Sequence, residues 1–381
     1  MEIYLDNSAT TKPCAEAVEA CVNAMTKTYG NPSSLHDVGF AAEKCIKEAK
    51  QQIAAALKCD VSEIVFTSGA TESNNLALVG AAQAKIRRGK TIVISAVEHP
   101  SVLETAHALA QQGFTVKTVQ LQADGTFSAQ SFADAVDSDT TLVSCMMVNN
   151  ETGLLLPVSE IAAAVKAKKP DVLVHTDAVQ AFLKLPIRFP ALSVDLMSIS
   201  GHKVYAPKGI GALIVKKGVR LIPQITGGGQ QNGVRSGTEP VPMIAAFGAA
   251  VAAQRTKLSA RIAHYEALSK RLRDAFSQNE DVSFRSGDAC VPYIVSLSVF
   301  GVRSETMLHF LEQKGIYVSS GSACAKGAHS HVMDALGVDR MTADETLRIS
   351  FSPETTEEMI DTLVSAILEG EQTLAKQRVR G

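Results

Sequence analysis

The chain has 381 residues, 46% hydrophobic and 20% charged, with a formal net charge of −2. That is enough apolar material for a core larger than most single domains hold, and the charge balance argues against nucleic acid or an anionic membrane as partner. No run of about 18 apolar residues occurs, so no membrane span is expected. The start, Met1-Glu2-Ile3-Tyr4-Leu5, lacks the basic and apolar regions of a secretory signal. Seven cysteines (14, 21, 45, 59, 145, 290 and 324) are odd in number and dispersed, with no Cys-x-x-Cys pair. They fit the reduced thiols of a cytoplasmic protein better than a disulfide framework or a structural zinc site.

In chain order, short β-branched runs alternate with helical patterns. Ile64–Thr67 reads as a strand, then a turn Ser68-Gly69-Ala70-Thr71-Glu72, then an Ala/Leu-rich helix. Thr91–Ser95 is a strand, followed by Glu98-His99-Pro100 and a helix to about Gln112. Further strands are expected at Thr115–Val119, Leu142–Val148 and Val172–Thr176, with a helix over Ile161–Lys168. Apolar runs on both sides of Ser200-Gly201-His202-Lys203 predict two more strands. This alternation implies an α/β fold with a large, mainly parallel sheet. After Pro242 the pattern changes. Ile244 to about Gln278 reads as one long helix, followed by strands at Ile294–Val299 and Thr346–Phe351 with helices at Ser304–Lys314 and Thr355–Leu368. The expected division is a large domain over residues 15–255 and a smaller α+β domain built from residues 1–14 and 256–381.

Ligands of such sheets bind beyond the carboxyl ends of the strands. Thr71, His99, Asn150, Asp177 and Lys203 all follow predicted strands there. Lys203 sits between two apolar strands, where burial disfavours the ammonium form and favours the neutral amine that imine formation needs. Asp177 ends an apolar strand, so its carboxylate needs a partner. A lysine and a strand-end aspartate are the minimal constellation for pyridoxal phosphate (PLP): the amine holds the aldehyde and the carboxylate keeps the pyridine nitrogen protonated. Each residue also has a plainer reading. Thr71 suits a helix N-cap as well as a phosphate, His99 a loop hydrogen bond as well as ring stacking or proton transfer, and Lys203 a side chain that snorkels to water. Gln180 is placed to meet a cofactor oxygen. The loop Gly227–Thr238 is flexible and carries Arg235 and Thr238, though glycine runs mark only a loop. Cys324 lies in Ser319-Ser-Gly-Ser-Ala-Cys-Ala-Lys326, small and polar surroundings for a thiol, and Lys326 nearby favours its thiolate. A Cys324/His329/His331 metal site has only three ligands and no familiar spacing, so no metal is expected. Arg348, inside an apolar strand, needs an anion, either a substrate carboxylate or a structural partner.

These residues together resemble the cysteine desulfurases of the nitrogen-fixation and iron–sulfur-cluster type, within the class V aminotransferase family. The resemblance runs from Tyr4-Leu-Asp-Asn-Ser-Ala-Thr-Thr11 to about Leu368. Its specific pieces are Gly69-Ala-Thr-Glu72 with Asn74-Asn75, Glu98-His99, Asn149-Asn-Glu-Thr-Gly153, His175-Thr-Asp-Ala-Val-Gln180, Ser200-Gly-His-Lys203, Arg235-Ser-Gly-Thr238 and Ser320-Gly-Ser-Ala-Cys324. It implies the PLP-dependent fold type I, a homodimer with active sites at the subunit interface, and L-cysteine as substrate. By position, Lys203 resembles the Schiff-base lysine, Asp177 the pyridinium partner and His99 the ring-stacking acid–base group. Ala70, Thr71, Ser200 and His202 match phosphate-binding positions, and Thr238 matches one that reaches the partner subunit's phosphate. Asn150 and Gln180 match cofactor or substrate contacts, Arg348 the carboxylate anchor and Cys324 the sulfur acceptor. The implied reaction makes L-alanine and a persulfide, for delivery to an acceptor protein such as an iron–sulfur scaffold or a tRNA-thiolation enzyme. The resemblance leaves selenocysteine open as a substrate. Two departures stand out: the segment from Cys324 to Ala335-Leu336-Gly337 is slightly short, and the chain ends soon after its last helix. Other readings of the same residues are an aminotransferase or lyase that needs no thiol, and a sulfur-relay protein without catalysis.

Overall fold

A computed structural model of the protein describes residues 2–320 and 330–376. The strands, in chain order, are β1 (Ile3–Tyr4), β2 (Ile64–Thr67), β3 (Thr91–Ser95), β4 (Thr115–Val119), β5 (Thr140–Ser144), β6 (Leu173–Asp177), β7 (Leu196–Ser200), β8 (Gly211–Val215), β9 (Val282–Phe284), β10 (Ile294–Val299), β11 (Ile316–Tyr317), β12 (Ser319–Ser320) and β13 (Thr346–Ser350). A seven-stranded sheet has the order β2-β8-β7-β6-β5-β3-β4. β4, β3, β5, β6 and β7 run parallel, and β8 is antiparallel to both its neighbours. Its inner strands are buried from end to end. This is why they read as continuous apolar runs rather than alternating ones: helices cover both faces.

The helices Ala70–Lys85 and Pro100–Gln111 cover one face, where Leu76, Leu78, Ile92, Ile94, Val102, Leu109 and Leu142 pack together. The other face belongs to a larger core with Ile53, Phe66, Val93, Val143, Val174, Met197, Phe182 and Phe247. That core continues without interruption into a second, four-stranded sheet of order β12-β13-β10-β9. The N-terminal segment reaches across. β1 pairs in parallel with β11, Asp6 bridges to Ser350, and Asn7 Nδ2 donates to the Ser350 carbonyl at 2.9 Å.

The long helix expected over 244–278 is two helices, Val241–Arg255 and Leu258–Ala275. The apolar period runs through the break at Thr256-Lys257. Arg261, buried in the first turn of the second helix, donates Nη2 back to Gln254 Oε1 at 2.6 Å and Nη1 to the Leu183 carbonyl at 2.9 Å. The corner is thus tied by a tertiary contact that periodicity does not carry. The strand expected to reach Val148 ends at Ser144, and the chain then runs as buried loop to Asn149.

Candidate active site

The site lies at the carboxyl ends of the parallel strands, and each strand end delivers one polar group. β6 ends on Asp177, which is 4% exposed. Its carboxylate accepts from Asn74 Nδ2 at 2.7 Å and from the Val179 amide at 2.9 Å. Two donors thus satisfy the buried carboxylate. Beyond β3, His99 is the N-cap of the helix Pro100–Gln111, with Pro at its first position. Its Nδ1 accepts from the Ser101 amide at 3.1 Å and lies 2.8 Å from Ser101 Oγ. Burial lowers its pKa; Asp177 opposes that, while Lys203 and His331 add to it. Glu98, one residue earlier, is fully buried; its Oε1 accepts from Ser95 Oγ and the Met146 amide, both at 2.7 Å. Burial pushes its carboxyl up to about 8, with Asp177 adding repulsion.

β7 ends at Ser200, and the one-turn helix Gly201–Lys203 follows. Lys203 Nζ donates to the carbonyls of Ser8 and Ala9 at 2.5 and 2.6 Å. The N-terminal segment therefore closes one wall of the site. Gln180 Nε2 donates to the same Ser8 carbonyl at 2.9 Å, and Lys184 Nζ donates to Gln180 Oε1 at 3.1 Å. His202 Nδ1 lies 3.2 Å from Thr10 Oγ1; burial, with Lys203, Lys208 and Lys184 nearby, pulls the ring down to about 4, so it is neutral.

A phosphate has a cradle here. The helix Ala70–Lys85 starts at Gly69 with no side-chain cap, which leaves its first amides for an anion. The hydroxyl of Ser200 is buried and has no hydrogen-bond partner among the described residues. Such a group is costly unless a ligand satisfies it. The residues present fit PLP: Ala70, Thr71, Ser200 and His202 for the phosphate, Asp177 for the ring nitrogen and Lys203 for the aldehyde. The first turn of the helix is itself braced. Glu72 accepts from the Ser68 amide at 2.8 Å and from Arg235 Nε and Nη2 at 2.8 and 3.3 Å. Burial opposes ionisation of Glu72, but these bonds hold its carboxyl below the usual value. The brace also fixes the loop that carries Thr238, which is exposed.

Arg348 projects from β13 and is 5% exposed. Nη1 donates to the Asn150 carbonyl at 3.1 Å and Nη2 to Asp6 Oδ1 at 2.8 Å. The structural ion pair weighed for this residue is present, and it joins both sheets to the N-terminal segment. Asn150 is half-buried and meets Arg348 through its backbone carbonyl. Its neighbour Asn149 is a buried fastener, donating Nδ2 to the Val97 carbonyl at 3.0 Å. Cys324 lies outside the described residues. Lys326 and His329 do too; the described His331 lies 2.8 Å by Nε2 from the Glu98 carbonyl.

Sequence reasoning passed over Lys184 and Ser101, and quoted Asn74 only as part of a motif, with no role. Lys184 is 5% exposed and sits 5.3 Å above the Tyr293 ring; burial, with Lys203, Arg261 and Arg348 nearby, pulls it down to about 7. Its place four residues after Gln180 was a usable signal, since such spacing puts both on one face of a helical turn. The partners of Asn74 and Ser101 had no such signal, because Asn74 meets Asp177 103 residues away and Ser101 27 residues away.

The whole chain has close relatives. Residues 3–363 match the aminotransferase class-V family. A protein of Serratia proteamaculans called cysteine desulfurase IscS is 40% identical over 375 residues, 96% of this chain and 92% of the relative. A mitochondrial cysteine desulfurase of Drosophila melanogaster is 39% identical over 94% of this chain and 78% of its own length. The solved structure of a NifS-like protein superposes with a TM-score of 0.93 at 37% identity, covering 98% of this chain and all of the other. That of SspA in complex with cysteine gives 0.79 at 34% identity, over 93% of this chain and 100% of the other. With residues 3–363 matching the family and relatives 40% identical over most of its length, the chain belongs to the PLP-dependent cysteine desulfurases of the class-V aminotransferase family.

Proposed function

We propose that this protein takes the sulfur of L-cysteine onto Cys324 as a persulfide, releases L-alanine, and passes the sulfur to an acceptor protein. The observation that carries the reading is that Lys203, Asp177 and His99, from three strand ends, lie close enough for both Lys203 and Asp177 to act on the His99 ring. Ala70, Thr71, Ser200 and His202 would hold the cofactor phosphate, and Asn150 and Gln180 would contact the cofactor or substrate. Bound there, PLP supplies an electron sink for the substrate's α-carbon. Asp177 would meet the ring nitrogen. Lys203 Nζ removes and returns the proton at Cα. Arg348 binds the α-carboxylate; one face of its guanidinium is committed to Asp6 and Asn150, while its buried Nε has no partner among the described residues. The Cys324 thiolate forms a bond to the substrate sulfur as the Cβ–S bond breaks, with the electron pair leaving toward carbon. The balance is L-cysteine plus Cys324–SH giving L-alanine plus Cys324–S–SH.

The working unit on this reading is a homodimer. The helix Ala15–Thr26 turns Val18, Val22 and Met25 outward, and Tyr29, Leu35 and Phe40 are exposed beside it. Val18, Val22 and Met25 follow a spacing of four and three, one face of a helix, and an apolar face of this kind marks an interface. Exposed Thr238 would serve the partner subunit's phosphate site. Residues 15–255 form the large domain and residues 1–14 with 256–381 the small one, a division supported by the pairing of β1 with β11. No described helix is long and apolar enough to cross a membrane. Six free cysteines among the described residues support the cytoplasm or another reducing compartment. The acceptor class is an iron–sulfur scaffold or a thiolation enzyme.

The test is L-cysteine turnover by the wild type and Cys324→Ala, read as alanine and as the mass of the protein. Alanine from the wild type, a gain of one sulfur on Cys324, and loss of both in the variant support the reading. Equal alanine from both proteins removes Cys324 from the reaction and leaves a thiol-independent lyase. No turnover by cofactor-loaded wild type ends the desulfurase reading.

A further inference from the structure

What His99 can do depends on which ring nitrogen carries its proton, and its neighbours settle that. The Ser101 amide points at Nδ1 from 3.1 Å. A backbone N–H only donates, so Nδ1 is the acceptor, and the proton of the neutral ring is on Nε2. Ser101 Oγ lies 2.8 Å from the same nitrogen. That hydroxyl receives Asn74 Nδ2 at 2.8 Å, which leaves its own proton for His99. The orientation of Asn74 is settled in turn by Asp177. The carboxylate accepts at both oxygens, so the amide nitrogen, not the amide oxygen, faces Oδ2 at 2.7 Å. Every donor then points one way, from Asn74 to Asp177 on one side and through Ser101 to His99 on the other.

The arrangement has a cost. Asn74 Oδ1 is buried with no hydrogen-bond partner among the described residues. Asn74 itself is fully buried, Ser101 is 9% exposed, and neither fills a phosphate or carboxylate position. A leucine at Asn74 would spare the orphaned oxygen but would break both bonds.

We propose that Asn74 and Ser101 are positioning residues that hold His99 as a neutral imidazole with its proton on Nε2 and tie that tautomer to the charge on Asp177. His99 then meets the reacting atoms as a hydrogen-bond donor. Its lone pair is turned away toward Ser101, and proton removal from the substrate falls to Lys203. The charged and titratable groups around the ring are Asp177 from β6, Lys203 after β7 and His331 from the helix His331–Ala335. The last two oppose an imidazolium and so act with the two Ser101 donors. The inference rests on His99 being a residue of the active site, as proposed above.

The experiment is NMR of cofactor-loaded protein labelled with ¹⁵N-histidine, without substrate and across a pH series. His99→Gln identifies the His99 signals. The wild type is expected to show the Nε2–H tautomer. Ser101→Ala should raise the pH at which His99 becomes an imidazolium by about one unit, the worth of one ordinary hydrogen bond. Asn74→Ala should shift it in the same direction, and Ser101→Thr, which keeps the hydroxyl, should restore it. An Nδ1–H tautomer in the wild type overturns the proposal, whether or not the variants fold. So does an unchanged midpoint in Ser101→Ala with its cofactor absorption intact. Because the tautomer is read without turnover, an inactive protein with the Nε2–H tautomer would refute the desulfurase reading and not this one.

Discussion

Burial sets what the ionisable residues of this site can do. Lys203 is held against two backbone carbonyls, with Gln180 sharing one of them. Lys203→Ala should lose the visible absorption of the bound cofactor and cut turnover by about 10²–10⁴-fold, the usual range for losing a general acid–base group. Glu98 has its carboxyl raised to about 8 by burial, far above that of an unfolded chain. The sign of its effect follows. A raised pKa means that the folded state holds the proton more tightly. Its stabilising contribution is full below the unfolded value near 4.5, falls as pH rises, and is gone above about 8. Glu98→Gln carries no such dependence. The melting temperature of Glu98→Gln relative to wild type should therefore climb by a few degrees between pH 5 and pH 8 and then level off. A flat difference across that range would mean that Glu98 is ionised in the folded protein.

At the scale of elements, the helix start proposed to hold the phosphate has its first turn braced from outside. Arg235 holds Glu72 through two bonds, both residues being largely buried. Arg235→Ala removes the cation and leaves a partly buried carboxylate beside the cradle, where it repels a phosphate. Cofactor affinity in Arg235→Ala should fall about 10-fold, checked by equilibrium dialysis against PLP, while Arg235→Lys recovers only part because it cannot bind bidentately. The helix Pro100–Gln111 shows the same economy of parts. Its N-cap is His99, so the group that caps the helix is also the group that faces the site. Arg348 on β13 fastens Asp6 to the Asn150 loop. With Arg348 binding the α-carboxylate as proposed, Arg348→Ala should raise the KM for L-cysteine at least 10-fold. It should also lower the melting temperature, because Asp6 loses its partner.

For the whole molecule, the site is assembled from remote parts of the chain. Ser8 and Ala9 come from the N-terminus, Lys203 from the end of β7 and Arg348 from the second sheet. The exposed face of the helix Ala15–Thr26 is the surface on which the dimer reading stands. Val22→Glu combined with Val18→Glu should shift sedimentation from dimer to monomer. If Thr238 serves the partner's site, the monomer should also lose cofactor affinity. A double variant that stays dimeric puts the interface elsewhere.

Much was legible in the sequence because it is local. Inner parallel strands are apolar on both faces, so they appear as β-branched runs, and the polar residues that follow them fall at their carboxyl ends whatever the partners are. Asp177, His99 and Lys203 could be picked out for that reason. The break at Thr256-Lys257 could not, because the apolar period is the same on both sides and Arg261 ties the corner to Gln254 and the Leu183 carbonyl. Nor could the partners of Asp177 and His99: Asn74 lies far from both in the chain, and its role depends on which way an amide points. Sequence alone determined the inner strands of the large sheet, the polar groups at their ends and the family resemblance, since these follow from side-chain type and short spacing. Only the tertiary structure decided which polar atoms meet, which are left without partners, and which ring nitrogen of His99 is engaged. Hydrogen bonds between residues 27 to 195 apart are set by packing, which no local pattern encodes.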